Sequence, residues 1–127
     1  MSALRAVVLE HFRHPRNRGP LVGAEASAEG ANPLCGDRVR IELRAEQGVI
    51  ADARFTADAC ALCVASASVL TERVRGMRLD AVSAGGVDEQ WLFASLEGEP
   101  PSARRKCATL PLATLRRAVA NLGSATR

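Results

Sequence analysis

Residues 37–57 read DRVRIELRAEQGVIADARFTA, and their alternation decides the fold. Val39, Ile41 and Leu43 interleave with Arg40, Glu42 and Arg44. After a turn over residues 45–48, Val49, Ala51, Ala53 and Phe55 interleave with Ile50, Asp52 and Arg54. A period of two sends successive side chains to opposite faces, so the segment reads as a β-hairpin with one greasy and one charged face. The greasy face needs a cover, and helix-period stretches on both sides supply it.

Upstream, SALRAVVLEHFRHPRN (residues 2–17) sets Leu4, Val8 and Phe12 near helical spacing behind a capping Ser2, with Pro15 as the stop. NRGPLVGAEASAEGAN (residues 17–32) is rich in Gly and Ala and reads as a loop or a weak edge strand. Downstream, CALCVASASVLTERVRG (residues 60–76) places Cys63, Ala67, Leu70 and Val74 on one helix face, stopped by Gly76. Residues 77–86 form a loop with some helical character. VDEQWLFASLEG (residues 87–98) is a short helix from Asp88 to Gly98, packed through Trp91. A last helix starts near Thr109 with Pro111 in its first turn, buries Leu112, Leu115, Val119 and Leu122, and ends at Gly123.

The 127 residues suit one domain, and the apolar share of 47% with 3% aromatics implies a small aliphatic core. A net charge of +3 from scattered Arg, with three Phe, one Trp and no Tyr, gives neither the basic stripe nor the stacking platform of a nucleic-acid binder. No apolar run is long enough for a membrane span, and the N-terminus lacks a signal-peptide layout, which points to the cytoplasm. Thiols stay reduced there, so four cysteines suggest metal or sulfur chemistry before structural disulfides.

Cys35 lies in a turn before a strand, Cys60 at the start of a helix after a strand, and Cys107 just before the last helix. Element boundaries are where side chains from distant segments converge. A helix N-terminus favours thiolate, the form that binds metals and attacks sulfur, and Arg105 and Lys106 add positive charge beside Cys107. Asp37 offers a hard oxygen two residues from Cys35, on the same side of an extended chain. Three thiolates and one carboxylate suit tetrahedral zinc, and also an iron–sulfur cluster with one weaker ligand. Two alternatives stand beside this set. Boundary cysteines also fill small gaps, and Cys60-Ala61-Leu62-Cys63 is a C-x-x-C with no second knuckle for a zinc ribbon and no βαβ setting for a thioredoxin-like pair. Cys63 belongs to the apolar stripe, which favours a buried inert thiol over a spare ligand or redox partner. His11 and His14 read as surface histidines.

HFRHPRNRG, NPLCGDRVRI, GVIADARFTADACALCVASASVLTERVRG and KCATL, in that order, resemble the NifU N-terminal/IscU/SufU family of iron–sulfur cluster assembly proteins. The resemblance runs from about Leu4 to Leu122. It implies an α+β fold, with a small antiparallel sheet of about three strands packed against four to five helices, as a single domain over residues 1–127. It implies that Cys35, Asp37, Cys60 and Cys107 match the family's zinc- or cluster-binding positions. It also implies a cysteine desulfurase of the SufS or IscS type as sulfur donor, apo iron–sulfur proteins as clients, and the first helix with HPRN as the face toward the desulfurase.

Lys106 stands where IscU-like members carry His before the last cysteine, and with Arg104, NPLCGDR and KCATL it looks like the SufU branch. The insertion of roughly twenty residues usual in that branch has no room between the central and last helices. Pro100-Pro101-Ser102-Ala103-Arg104 replaces the chaperone-recognition motif of IscU-type members. The expectation is a scaffold that accepts persulfide sulfur on Cys107, with Lys106 near the thiolate and Gly36 folding the turn so that Cys35 and Asp37 face one site. It is a non-enzymatic scaffold first. A zinc-dependent sulfurtransferase and a zinc-stabilised interaction module are the alternatives, with either zinc or a [2Fe–2S] cluster on the four ligands.

Overall fold

The computed structural model describes residues 2–125. Helix α1 (Ala3–Arg13) precedes strands β1 (Ala26–Asn32), β2 (Asp37–Glu46) and β3 (Val49–Asp58). Helices α2 (Ala61–Val74), α3 (Leu79–Ser83) and α4 (Glu89–Ser95) follow, then a 3-10 turn (Ser102–Arg104) and α5 (Arg105–Ala125). The strands form one antiparallel sheet in the order β1-β2-β3, the α+β architecture expected. No helix among the described residues is long and apolar enough to cross a membrane.

The β2–β3 turn uses Gln47 at φ 52 and Gly48 at φ 77, both left-handed, as a two-residue turn matched to strand twist requires. Val39, Ile41, Leu43, Ala53 and Phe55 are buried on the covered face. Ile50 departs from the expected alternation. The register shifts at Arg44/Ala45, pairing Arg44 with Asp52 and Ala45 with Ile50, so Ala51 is an extra residue. Such a bulge reverses the parity of the strand and carries Ile50 from the charged face into the core.

Of the Gly- and Ala-rich stretch, Ala26–Asn32 forms edge strand β1 and the residues before it are loop; α5 lies against the strand. A Cβ on Gly30 would fall on Thr114 Oγ1, so the close approach requires glycine. Arg117 donates to the Glu29 carbonyl at 2.5 Å and Asn121 to the Ser27 carbonyl at 2.8 Å. These side chains occupy backbone groups that a bare edge would offer to another strand.

Every residue of α2 from Cys63 to Thr71 is buried, a wider surface than the single stripe of the sequence reading. Helix α1 packs on it and corrects one expectation: His11 is buried, while His14 is exposed. His11 Nδ1 lies 2.7 Å from Ser68 Oγ, which also accepts the Arg16 backbone N–H at 2.8 Å. A buried serine needs a partner, and the imidazole supplies one. Leu4 and Val7 pack against the core, whereas Phe12 is 44% exposed.

Helix α4 is capped by Asp88, which accepts the Trp91 N–H at 2.8 Å, and Trp91 packs on the core. It ends before Gly98. Glu97 takes the left-handed conformation at φ 60, and Gly98 is small because a Cβ there would crowd Leu4. Helix α5 begins at Arg105, not near Thr109, so Pro111 sits in its second turn, and it runs past Gly123 to Ala125. The 3-10 turn after Pro100-Pro101 leads straight into it, so Cys107 is inside the first turn. Leu112, Leu115, Val119 and Leu122 form the expected buried face.

Candidate metal centre

The site forms where the β1–β2 turn, the start of α2 and the start of α5 meet. Asn32 builds the turn: its Oδ1 accepts the Leu34 N–H at 3.2 Å, and its carbonyl accepts the Gly36 N–H at 2.8 Å. Gly36 has φ 76 with open space where a Cβ would stand, so backbone conformation rather than crowding favours glycine. Across it Cys35 and Asp37 face each other, with Cys35 Sγ 3.1 Å from Asp37 Oδ2.

Asp37 is buried at the first position of β2. Its Oδ1 accepts the backbone N–H of Cys60 at 2.9 Å, and its Oδ2 lies 3.6 Å from Cys60 Sγ. Cys60 is the extended residue before α2, and its side chain makes no cap bond to the helix. From α5, Cys107 brings its Sγ to 3.8 Å from Cys35 Sγ. Donor atoms of Cys35, Asp37 and Cys107 all lie within 4.8 Å of one another, and Cys60 Sγ stands beside this trio against Asp37 Oδ2, outside that mutual spacing. Cys35 is exposed, Cys60 half-buried and Cys107 6% exposed, so the site opens to solvent on the Cys35 side.

The site is acidic and thiol-rich. Burial pushes the Asp37 carboxyl up, but bonds from the Cys35 thiol, the Cys60 N–H and the other two thiols outweigh it and hold the carboxyl below its usual range. Burial, then the Cys35 thiol and the neighbouring Cys60, push the Cys107 thiol up to about 12. The flank was expected to lower it. Arg105 is instead drawn away, pairing with Glu89 at 2.6 Å and Glu99 at 2.8 Å above the Phe93 ring, and Lys106 is exposed. Thiols and a carboxylate this close repel once ionised, and a cation among them removes that penalty.

The separations among Cys35, Asp37 and Cys107, and of Cys60 from Asp37, are near those of ligands on one tetrahedral ion. Zinc–sulfur bonds of about 2.3 Å at tetrahedral angles set two sulfurs about 3.8 Å apart, and a sulfur and a carboxylate oxygen about 3.6 Å apart. The Cys35–Cys107 and Cys60–Asp37 separations are 3.8 and 3.6 Å, and Cys35–Asp37 is shorter at 3.1 Å, the distance of a thiol donating to a carboxylate.

The NifU-like N terminal domain family matches residues 3–126. The chain belongs to that family. It is 30% identical over 131 residues to the zinc-dependent sulfurtransferase SufU of Bacillus subtilis (strain 168), covering 91% of this chain and 88% of that protein. It is 37% identical over 114 residues to the iron–sulfur cluster assembly scaffold protein IscU of Aquifex aeolicus (strain VF5), covering 88% of this chain and 71% of that one. The crystal structure of an N-terminal NifU-like protein from Brucella abortus superposes with a TM-score of 0.75 at 24% identity, over 93% of this chain and 92% of that one, and so shares the fold.

Two residues of this NifU-like domain that the sequence drew attention to stay outside the cluster. Arg104 closes the 3-10 turn and is exposed. Cys63 is fully buried, one turn into α2 from Cys60. Burial, then the charges of Asp37 and Cys60, push its thiol far up. His11 with Ser68 is the buried polar pair that sequence reading missed. Its one signal is the run of Ser66, Ser68 and Thr71 along a helix with no exposed face there.

Proposed function

We propose that this chain accepts sulfur from a cysteine desulfurase and holds a metal ion or nascent cluster on Cys35, Asp37, Cys60 and Cys107, as an iron–sulfur assembly scaffold. The observation that carries this is the 3.8 Å approach of Cys35 Sγ to Cys107 Sγ over the Asp37 carboxylate, between residues 72 positions apart. A bound zinc ion would keep the sulfurs deprotonated and the four donors together, while a [2Fe–2S] cluster built there is cargo for client proteins.

Cys35 faces solvent, so it is the thiol that an incoming persulfide reaches first. Its thiolate attacks the outer sulfur of the desulfurase persulfide. The donor's S–S bond breaks, the donor leaves as thiolate, and Cys35 carries the persulfide. Cys107 beneath it takes the same sulfur by a second exchange, which returns Cys35 to thiolate. Asp37 orders the site, receiving the Cys35 thiol and fixing the start of α2 through the Cys60 N–H.

A second reading is favoured by the SufU likeness and by Lys106 before the last cysteine: a zinc-dependent sulfurtransferase that stimulates the desulfurase. Desulfurase turnover with and without this protein, followed by mass spectrometry of its thiols, tests both. Sulfur on Cys35 or Cys107 with faster turnover supports sulfur acceptance. No added sulfur and no stimulation leaves the interaction module. Visible absorption of anaerobically purified protein separates cluster from zinc.

A further inference from the structure

Cys35 and Cys107 stand 72 positions apart in the chain, yet their sulfurs are 3.8 Å apart, and both are free thiols. We propose that this pair is a peroxide-sensitive switch: a peroxide converts it into a Cys35–Cys107 disulfide, which closes the site until a dithiol opens it. What the switch controls, metal and sulfur uptake, rests on the scaffold reading above.

Exposure divides the work between the two thiols. Cys35 is exposed and Cys107 is buried, so a solvent-borne oxidant meets Cys35 first. A disulfide sets its sulfurs about 2.05 Å apart, so the pair closes by roughly 1.8 Å. Cys35 sits on a surface turn, where its thiol meets Asp37 Oδ2 at 3.1 Å and the Asn32 carbonyl at 3.9 Å. Both contacts use the thiol hydrogen, and oxidation removes it. Cys60 is the poorer partner: its sulfur stands outside the mutual spacing of Cys35, Asp37 and Cys107, and its backbone N–H is bonded to Asp37. Cys63 is wholly buried.

The steps balance with hydrogen peroxide as the oxidant. The Cys35 thiolate attacks one peroxide oxygen, the O–O bond breaks, hydroxide leaves, and Cys35 becomes a sulfenic acid. Cys107 then attacks the Cys35 sulfur. The S–O bond breaks, the disulfide forms, and the hydroxyl leaves as water with the Cys107 proton. The thiol pair loses two electrons and the peroxide gains them. A dithiol restores both thiols by exchange. In the disulfide neither sulfur is a thiolate, the form that binds metal and attacks sulfur. Only Cys60 and Asp37 remain as donors, two where tetrahedral zinc takes four.

The test treats metal-free, reduced protein with hydrogen peroxide, maps disulfides by non-reducing peptide digestion, and reads zinc affinity by chelator competition before and after. The wild type should gain a Cys35–Cys107 disulfide and lose at least about a hundredfold in zinc affinity, both reversed by dithiothreitol. Cys107→Ser should form no disulfide and leave Cys35 as a sulfenic acid that dimedone traps, while Cys63→Ala should behave as the wild type. A disulfide through Cys60, Cys35 driven to sulfinic acid with Cys107 free, or zinc affinity unchanged by the disulfide overturns the proposal. Sulfur uptake from a cysteine desulfurase with cysteine is followed on the same samples. Uptake lost on oxidation supports the switch, and uptake undiminished by the disulfide overturns it. No uptake even by the reduced protein removes the sulfur-acceptor reading, and the disulfide and zinc results then decide the switch by themselves.

Discussion

Asp37 Oδ1 accepts the backbone N–H of Cys60 at 2.9 Å, tying the first residue of β2 to the residue that opens α2. The same carboxylate meets the Cys35 thiol through its other oxygen. Asp37 therefore braces two thiols, and in the proposed site it is also a donor to the bound ion.

Replacing Asp37 separates those roles. Asp37→Asn keeps an oxygen for the Cys60 N–H but loses the charge, and Asp37→Ala loses both. Zinc affinity, read by chelator competition, should fall at least about tenfold in both, since even outer-shell partners of metal ligands are worth that much. The metal-free alanine variant should also lose about 1 kcal/mol of stability in urea, the usual value of a helix-start acceptor. Unchanged affinity in both variants would remove Asp37 from the site.

The acid response of the metal-free protein follows from His11. Burial lowers its pKa below the ordinary value of about 6.5, so the unfolded chain binds the proton more readily. Stability is full above about pH 6.5 and declines as pH falls from there toward the folded-state value. His11→Gln, which offers Ser68 a partner that does not titrate, should flatten urea midpoints across that window. Asp37 acts further down. Its folded pKa is depressed, so its contribution persists above about pH 3.9 and is lost as pH drops through the folded value.

Gly30→Ala tests the packing of β1 on α5. The new methyl would meet Thr114 Oγ1, on a short β-branched side chain bonded back to the Leu110 carbonyl, with the Leu110 side chain also close by. Overpacking of this kind costs about 1–3 kcal/mol, visible as a lower urea midpoint with an unchanged slope. Gly30→Ala combined with Thr114→Ala should recover part of that loss.

Two residues on α5 should differ sharply. Arg105 pairs with Glu89 and Glu99, but all three side chains are close to half exposed or more, so Arg105→Met should leave the denaturant midpoint near that of the wild type. Leu115 is fully buried, and Leu115→Ala should cost about 2–5 kcal/mol. Denaturant titration of both variants checks the contrast.

The hairpin was legible because one buried face imposes a period of two on β2, and the α2 and α5 faces because a helix imposes its own period. The bulge at Ala51 was not, since one extra residue leaves no mark in composition; it brings Ile50 into the core and leaves Val49 and Ala51 half-buried. Pro111 mimicked a first-turn proline and hid the true start of α5, a turn earlier. His11 could not be read from its neighbours because its partner Ser68 is 57 residues away. At the site, the Cys35-Gly36-Asp37 spacing carried its own geometry. The raised Cys107 thiol was not legible from its basic flank because burial and the distant thiols of Cys35 and Cys60 set it.

X-ray absorption of the zinc-loaded protein tests the central claim most directly. Three sulfurs at about 2.3 Å and one oxygen at about 2.0–2.2 Å are predicted, the sulfur count dropping by one in Cys35→Ser, Cys60→Ser or Cys107→Ser and staying at three in Cys63→Ala. A shell of oxygen and nitrogen alone, or a sulfur count indifferent to those three cysteines, would contradict it.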